Sequence, residues 1–96
     1  MLSKFFTTSK FDKEYAKLKK DDKKLVDSIV ELLIEGKTLP AKFRDHQLKG
    51  NLKDFRDCHV KPDLVLIYGK EIDEIKEEEI LIITAYRVNS HSELGL

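Results

Sequence analysis

Tryptophan is absent from this 96-residue chain, cysteine and methionine occur once each, and proline only twice. A lone cysteine, Cys58, cannot close an internal disulfide, so no covalent staple is available. No apolar run approaches the roughly 20 residues that span a bilayer. The opening stretch from Met1 to Phe6 lacks the apolar segment and the small-residue cleavage site of a signal peptide. These absences point to the cytoplasm, with no membrane partner. Also missing are a P-loop, a dinucleotide fingerprint, a serine-hydrolase elbow, His-Glu-x-x-His and Cys-x-x-Cys, so no cofactor and no metal site is expected.

Charge of one net sign is missing too, because 18 Lys+Arg balance 18 Asp+Glu. The balance hides an asymmetry. Residues 1–62 hold 15 basic against 10 acidic residues, a net +5, and residues 63–96 hold 3 against 8, a net −5. A basic half can track a phosphate backbone, and the acidic run from Glu71 to Glu79 would repel one. Most such charges simply solvate helix faces and loops, so composition alone does not reveal a nucleic-acid binder.

The hydrophobic content of 41% suits one modest core, and one domain over residues 1–96 is expected. Leu2 to Thr7 reads as a strand. Ser9 is placed to cap a first helix with Phe11, Tyr15 and Leu18 on one face, and Asp21 or Asp22 to cap a second. There Leu25, Val26, Ile29, Val30, Leu33 and Ile34 form an apolar stripe that Gly36 ends. From Leu39-Pro40 a loop runs through Asp45-His46 to Gly50. Leu52–Val60, Leu64–Tyr68 and Ile80–Val88 read as strands, with Pro62 in the first turn and residues 71–79 at the tip of the last hairpin. The last two strands are nearly continuous Leu/Ile/Val and belong in the middle of a sheet. The order β-α-α-β-β-β predicts an α+β fold: a helical hairpin on a mostly antiparallel sheet, with room for a short C-terminal turn or helix.

Proton-transfer chemistry rests on three histidines, His46, His59 and His91, each in or beside a loop or strand end. Taken singly, each is an ordinary surface residue; together they matter only if the fold gathers them. Asp63 follows His59 across the proline turn, where a carboxylate can orient an imidazole, take a proton, or merely stabilise the turn. Arg87 ends the last strand and suits a phosphate, since guanidinium grips two oxygens at once. Arg56 and Lys61 are weaker candidates of that kind. The histidines, 13 and 32 residues apart, have no zinc-ligand spacing. Cys58 turns to the face opposite Asp57 and His59 and reads as a small buried residue.

Three segments carry a resemblance. Asp45-His46-Gln47-Leu48-Lys49-Gly50 looks like the D-H-x-L-x-G signature of YafQ-type toxins, within the RelE/ParE superfamily of type II toxin–antitoxin systems. Phe55 to Tyr68 resembles the block aromatic-R-[DE]-x-H-[VI]-x-P-D that closes on [IV]-Y, and Arg87 to Leu94 resembles the closing R-x-x-[ST]-H-x-x-L. The matches cover about half the chain, in order, while the N-terminal helical hairpin agrees in pattern only. Two positions depart: Leu64 stands where relatives can carry Trp, and Gly95-Leu96 where they often carry Phe.

The resemblance implies a RelE-like fold and a metal-independent endoribonuclease that cuts messenger RNA in the ribosomal A site, inhibits translation and is neutralised by an antitoxin encoded beside it. It carries a catalytic set over to His46, His59, Asp63 and His91. In that scheme His91 is the acid, His46 or Asp63 the base, His59 meets the phosphate or orients its neighbours, and Arg87 clamps the scissile phosphate. The alternatives are a ParE-like toxin that binds gyrase without chemistry, and a weakly active toxin that mainly binds its antitoxin. Lys10, Lys13, Lys17, Lys19, Lys20, Lys23 and Lys24 are placed to meet either an acidic antitoxin segment or ribosomal RNA.

Overall fold

The computed structural model describes residues 2–52 and 54–96. Strand β1 (Leu2–Thr7) leads into helices α1 (Ser9–Ala16) and α2 (Lys20–Ile34). A helical turn, Ala41–Phe43, precedes the two-residue strand β2 (His46–Gln47), and a second turn, Gly50–Leu52, precedes β3 (Arg56–Lys61). Strands β4 (Leu64–Ile75) and β5 (Glu78–Asn89) follow, then the single-turn helix α3 (His91–Leu94). The sheet order is β1-β5-β4-β3-β2, antiparallel except where β1 runs parallel to β5. The α+β architecture expected from the sequence is the one observed, with the Leu/Ile/Val-rich β4 and β5 inside the sheet.

One face of the sheet is covered by helix. Val26, Ile29 and Leu33 of α2, with Phe11 of α1, pack on Cys58, Val60, Leu66, Tyr68, Leu81 and Ile83. Those sheet residues alternate along their strands, so each strand sends every second side chain into the core. Burial pushes the Cys58 thiol up to about 12, which leaves it a core residue without thiolate reactivity. Gly36 closes α2 at φ +74°: its N–H reaches the Leu33 carbonyl and that of Lys37 the Leu32 carbonyl, each at 3.0 Å.

Local details depart from the sequence reading where long-range pairing decides them. Thr8, not Ser9, caps α1: its Oγ1 accepts from Phe11 N–H at 3.0 Å and donates to the Tyr86 carbonyl at 2.8 Å. The backbone begins α2 at Lys20 with no side-chain cap, so Asp21 and Asp22 sit inside the first turn, where their charge favours the helix dipole. The strand expected from Leu52 begins at Arg56, and Lys53 lies outside the described residues. The acidic run is mostly strand, not hairpin tip: β4 and β5 pair out to Ile75↔Glu78, and only Lys76 and Glu77 turn, at φ 51° and 68°. Because Ile29 is fully buried, Ile29→Ala should cost about 2–5 kcal/mol of unfolding free energy in urea titration; an unchanged midpoint would contradict this packing.

Candidate active site

Alternation along β3 divides its chemistry between two faces. Cys58 and Val60 enter the helix-covered core, so Asp57 and His59 stand on the open face. Register then assembles their neighbours. His46 on β2 pairs with Asp57, while Asp57 and His59 pair with Ile67 and Val65 of β4. Val65 in turn pairs with Asn89, two residues before His91 on α3. Segments far apart in the chain thus meet at one end of the open face.

There the rings of His59 and His91 lie with centroids 4.8 Å apart. Asp63, in the β3–β4 turn, places Oδ1 3.6 Å from His91 Nδ1 and 3.5 Å from the His91 backbone N–H. His46 Nδ1 lies 3.1 Å from Asp57 Oδ1 and 2.8 Å from the Arg44 carbonyl oxygen. The carbonyl can only accept, so Nδ1 carries the proton and donates to it, and Nε2 of a neutral His46 is left as the basic nitrogen. That geometry leaves Asp57 Oδ1 beside the imidazole without a hydrogen bond among the described residues. Two carboxylate–imidazole pairs, Asp57–His46 and Asp63–His91, therefore flank His59.

The electrostatics separate the three imidazoles. Burial lowers the His59 pKa from its ordinary value, and the neighbouring His91 lowers it further, so His59 favours its neutral form. Burial raises the Asp57 pKa, against the opposing pull of His46, His59 and His91. All three histidines are near enough to act on this one carboxylate. His59 and His91 also line a cavity of about 600 Å³ together with Lys42, Arg44, Lys61 and Pro62. Arg44 adopts a left-handed conformation (φ 49°) at the end of its helical turn.

The other cations predicted from the sequence sit differently. Lys61 is on the cavity wall, with Nζ 2.9 Å from Asp22 Oδ1. Arg56 points to the opposite side of β3 from His59, where its Nε reaches Asp45 Oδ1 at 3.3 Å and the Tyr68 hydroxyl at 3.4 Å. The Tyr68 hydroxyl also donates to Asp45, and this network holds the residue before His46. Arg87 is gripped by Glu14 of α1, with Nε and Nη2 each 2.8 Å from a carboxylate oxygen. Glu14 also accepts from Val88 N–H and Asn89 Nδ2; burial opposes its charge, but these bonds hold its pKa below the usual range. Sequence reading passed over Asp57, Arg44 and Glu14. Period-two alternation with His59 was the available signal for Asp57, and adjacency to Asp45-His46 for Arg44; Glu14 had none, because its partners are more than 70 residues away.

The signature of the family described as the bacterial toxin of type II toxin–antitoxin systems, YafQ, matches residues 3–95. The chain belongs to the YafQ toxin family. The mRNA interferase toxin YafQ of Escherichia coli K12 is 45% identical over 49 residues, which cover 51% of this chain and 53% of that protein. The chain spans between 53% and 62% of the length of the curated relatives it matches. The crystal structure of a metal-bound toxin from Helicobacter pylori is similar at 45% identity and TM-score 0.73, covering 98% of this chain and 99% of that one. The E. coli DinJ–YafQ toxin–antitoxin complex is similar at 27% identity and TM-score 0.77, covering 98% of each chain. Within this YafQ family member, no helix among the described residues is long and apolar enough to cross a membrane.

The raised Asp57 pKa gives a signed prediction. A folded-state pKa above the ordinary aspartate value means that the folded protein holds this proton more tightly than the unfolded chain. The stability it contributes is present at low pH and lost as pH rises through the folded value. Asp57→Asn removes that loss, so its stability relative to wild type should increase between pH 4 and pH 7 in urea titrations. A flat or inverted difference would show that Asp57 does not carry a burial penalty.

Proposed function

We propose that this chain is the toxin of a type II toxin–antitoxin pair and cuts messenger RNA by attack of the ribose 2′-hydroxyl on the adjacent phosphate. The observation that carries the proposal is the meeting of two carboxylate–imidazole pairs around His59 beside a cation-lined cavity. Cleavage needs a base for the 2′-hydroxyl proton, positive charge near the phosphorane-like transition state, and an acid for the departing 5′-oxygen.

His46 suits the base, since the Arg44 carbonyl holds its Nδ1–H and leaves Nε2 to accept. His91 suits the acid, because Asp63 Oδ1, 3.6 Å from its Nδ1, can hold the ring with Nε2 free to meet the departing oxygen. Asp63 then orients His91 instead of taking the proton itself. The neutral bias of His59 fits a hydrogen bond to a phosphate oxygen. Arg44 and Lys61 bring positive charge to the cavity. Arg87, committed on two nitrogens to Glu14, offers the phosphate only its remaining edge. We place the reaction in the cytoplasm and, as an A-site nuclease, on ribosome-bound message, where individual lysines such as Lys17, Lys19 and Lys20 around the turn between α1 and α2 can meet ribosomal RNA. The E. coli DinJ–YafQ complex supports pairing of this chain with an antitoxin of its own.

The test is single-turnover cleavage of a defined transcript. His46→Ala and His91→Ala should each slow it by about 10²–10⁴-fold. Full activity in His91→Ala would remove that imidazole from the mechanism and, with it, the proposed acid.

A further inference from the structure

A second hollow, of about 410 Å³, lies on the open face next to the histidine cluster, within the roughly 300–1,000 Å³ range of small-ligand sites. Its walls are apolar and aromatic: Phe55, Ile67, Tyr86, Leu94 and Leu96. Phe55, Asp57 and His59 alternate along one chain segment, so the hollow and the histidines share a single row of the sheet. Helix α3 joins them from above. His91 lines the first cavity and Leu94 the second, and residues three apart on a helix are neighbours about 5–6 Å apart.

The aromatic wall is preorganised by two backbone features. The ladder between β4 and β5 shifts after Ile67↔Arg87 to Tyr68↔Ala85, leaving Tyr86 as the extra residue of a bulge. The bulge lets consecutive residues, Tyr86 and Arg87, both border the hollow. Gly69, across the ladder, makes room for the Tyr86 ring: a Cβ there would stand 2.9 Å from Cε2. Phe55 meets the same ring edge-on at a centroid distance of 4.8 Å. Tyr86 is thus pinned between a glycine and a perpendicular ring. Lys10 of α1 stands at the border, supplying charge of the sign that attracts a phosphate backbone, beside Arg87, whose guanidinium is paired with Glu14.

We infer that this hollow is a nucleobase subsite, which takes the base of a nucleotide flanking the cut while the neighbouring phosphate sits among the histidines. The inference rests on the nuclease reading above and deepens it. Every base has an apolar face, so an aromatic wall with cations on its border accepts bases with little sequence preference, which is how single-stranded nucleic acid is commonly held. A protein partner inserting an apolar side chain is the competing occupant. It is disfavoured by the position of the hollow beside the histidine-lined cavity, with α3 contributing to both, and by Lys10 at its border.

The experiment uses an RNA oligonucleotide with 2′-deoxy at the cleaved position, so that it binds without reacting, and removes one base at a time around the cut. Wild type should lose about five- to a hundredfold in affinity at one flanking position, the range expected for one base–aromatic stack. Tyr86→Ala should lose the same factor on intact RNA and be indifferent to base removal there. Gly69→Ala, whose Cβ would stand 2.9 Å from Tyr86 Cε2 and so push the ring from its place, should weaken RNA binding in the same direction, with a cooperative urea transition as the check that the fold is retained. A wild type that cleaves unmodified RNA but ignores base removal at every flanking position overturns the subsite alone. A wild type that cleaves no RNA at all overturns the nuclease reading and the subsite with it. Undiminished RNA affinity in Tyr86→Ala, with loss only of antitoxin capture, assigns the hollow to the protein partner and also overturns the inference.

Discussion

The pairing of β3 with its two neighbours is the constraint on which the site depends. Strand β3 sends Cys58 and Val60 into the core, and that burial determines which way Asp57 and His59 must face. A one-residue slip of register would exchange the two sets, placing a carboxylate and an imidazole among Ile29 and Leu66 and exposing the apolar residues. Hydrophobic burial on one face therefore secures the aim of the chemistry on the other. The same register delivers His46 opposite Asp57, and through β4 it sets where the end of β5 releases the chain into α3 and His91.

Around that register several charged groups hold parts of the fold in place. Glu14 shows this best. Where β1 stops pairing after Thr7↔Ala85, the free N–H of Val88 on β5 would be left without a partner, and Glu14 from α1 accepts it while gripping Arg87 and Asn89. Asp45, Arg56 and Tyr68 do the equivalent for the loop that presents His46. An arginine that looks free for phosphate in the sequence can thus be committed to the fold. The cations left beside the imidazoles come instead from the turn before β2 and the end of β3.

How far the sequence could be read depended on whether local or distant contacts decide each feature. The apolar stripe of α2 and the stop at Gly36 are local, and both were legible; so were the inward strands β4 and β5, from their unbroken apolar runs. The acidic residues Glu71, Asp73 and Glu74 were not legible as strand, because nothing but pairing with Ile82, Ile80 and Glu79 holds them extended. The cap of α1 was displaced by one residue for a similar reason: the Thr8 hydroxyl is also bonded to Tyr86, 78 residues away. In the site, the motif histidines and Asp63 stood out as residue types suited to proton transfer. Asp57 did not, since its place beneath three imidazoles arises from cross-strand register.

The most direct measurement of the central claim is the chemistry left on cut RNA. The purified protein is incubated with a defined transcript, with ribosomes where needed and with excess chelator, and the new ends are identified by mass spectrometry. Transfer through the 2′-hydroxyl by paired imidazoles predicts a 2′,3′-cyclic phosphate on the upstream fragment and a 5′-hydroxyl on the downstream one, undiminished by chelation. A 5′-phosphate that appears only when divalent metal is added would contradict it.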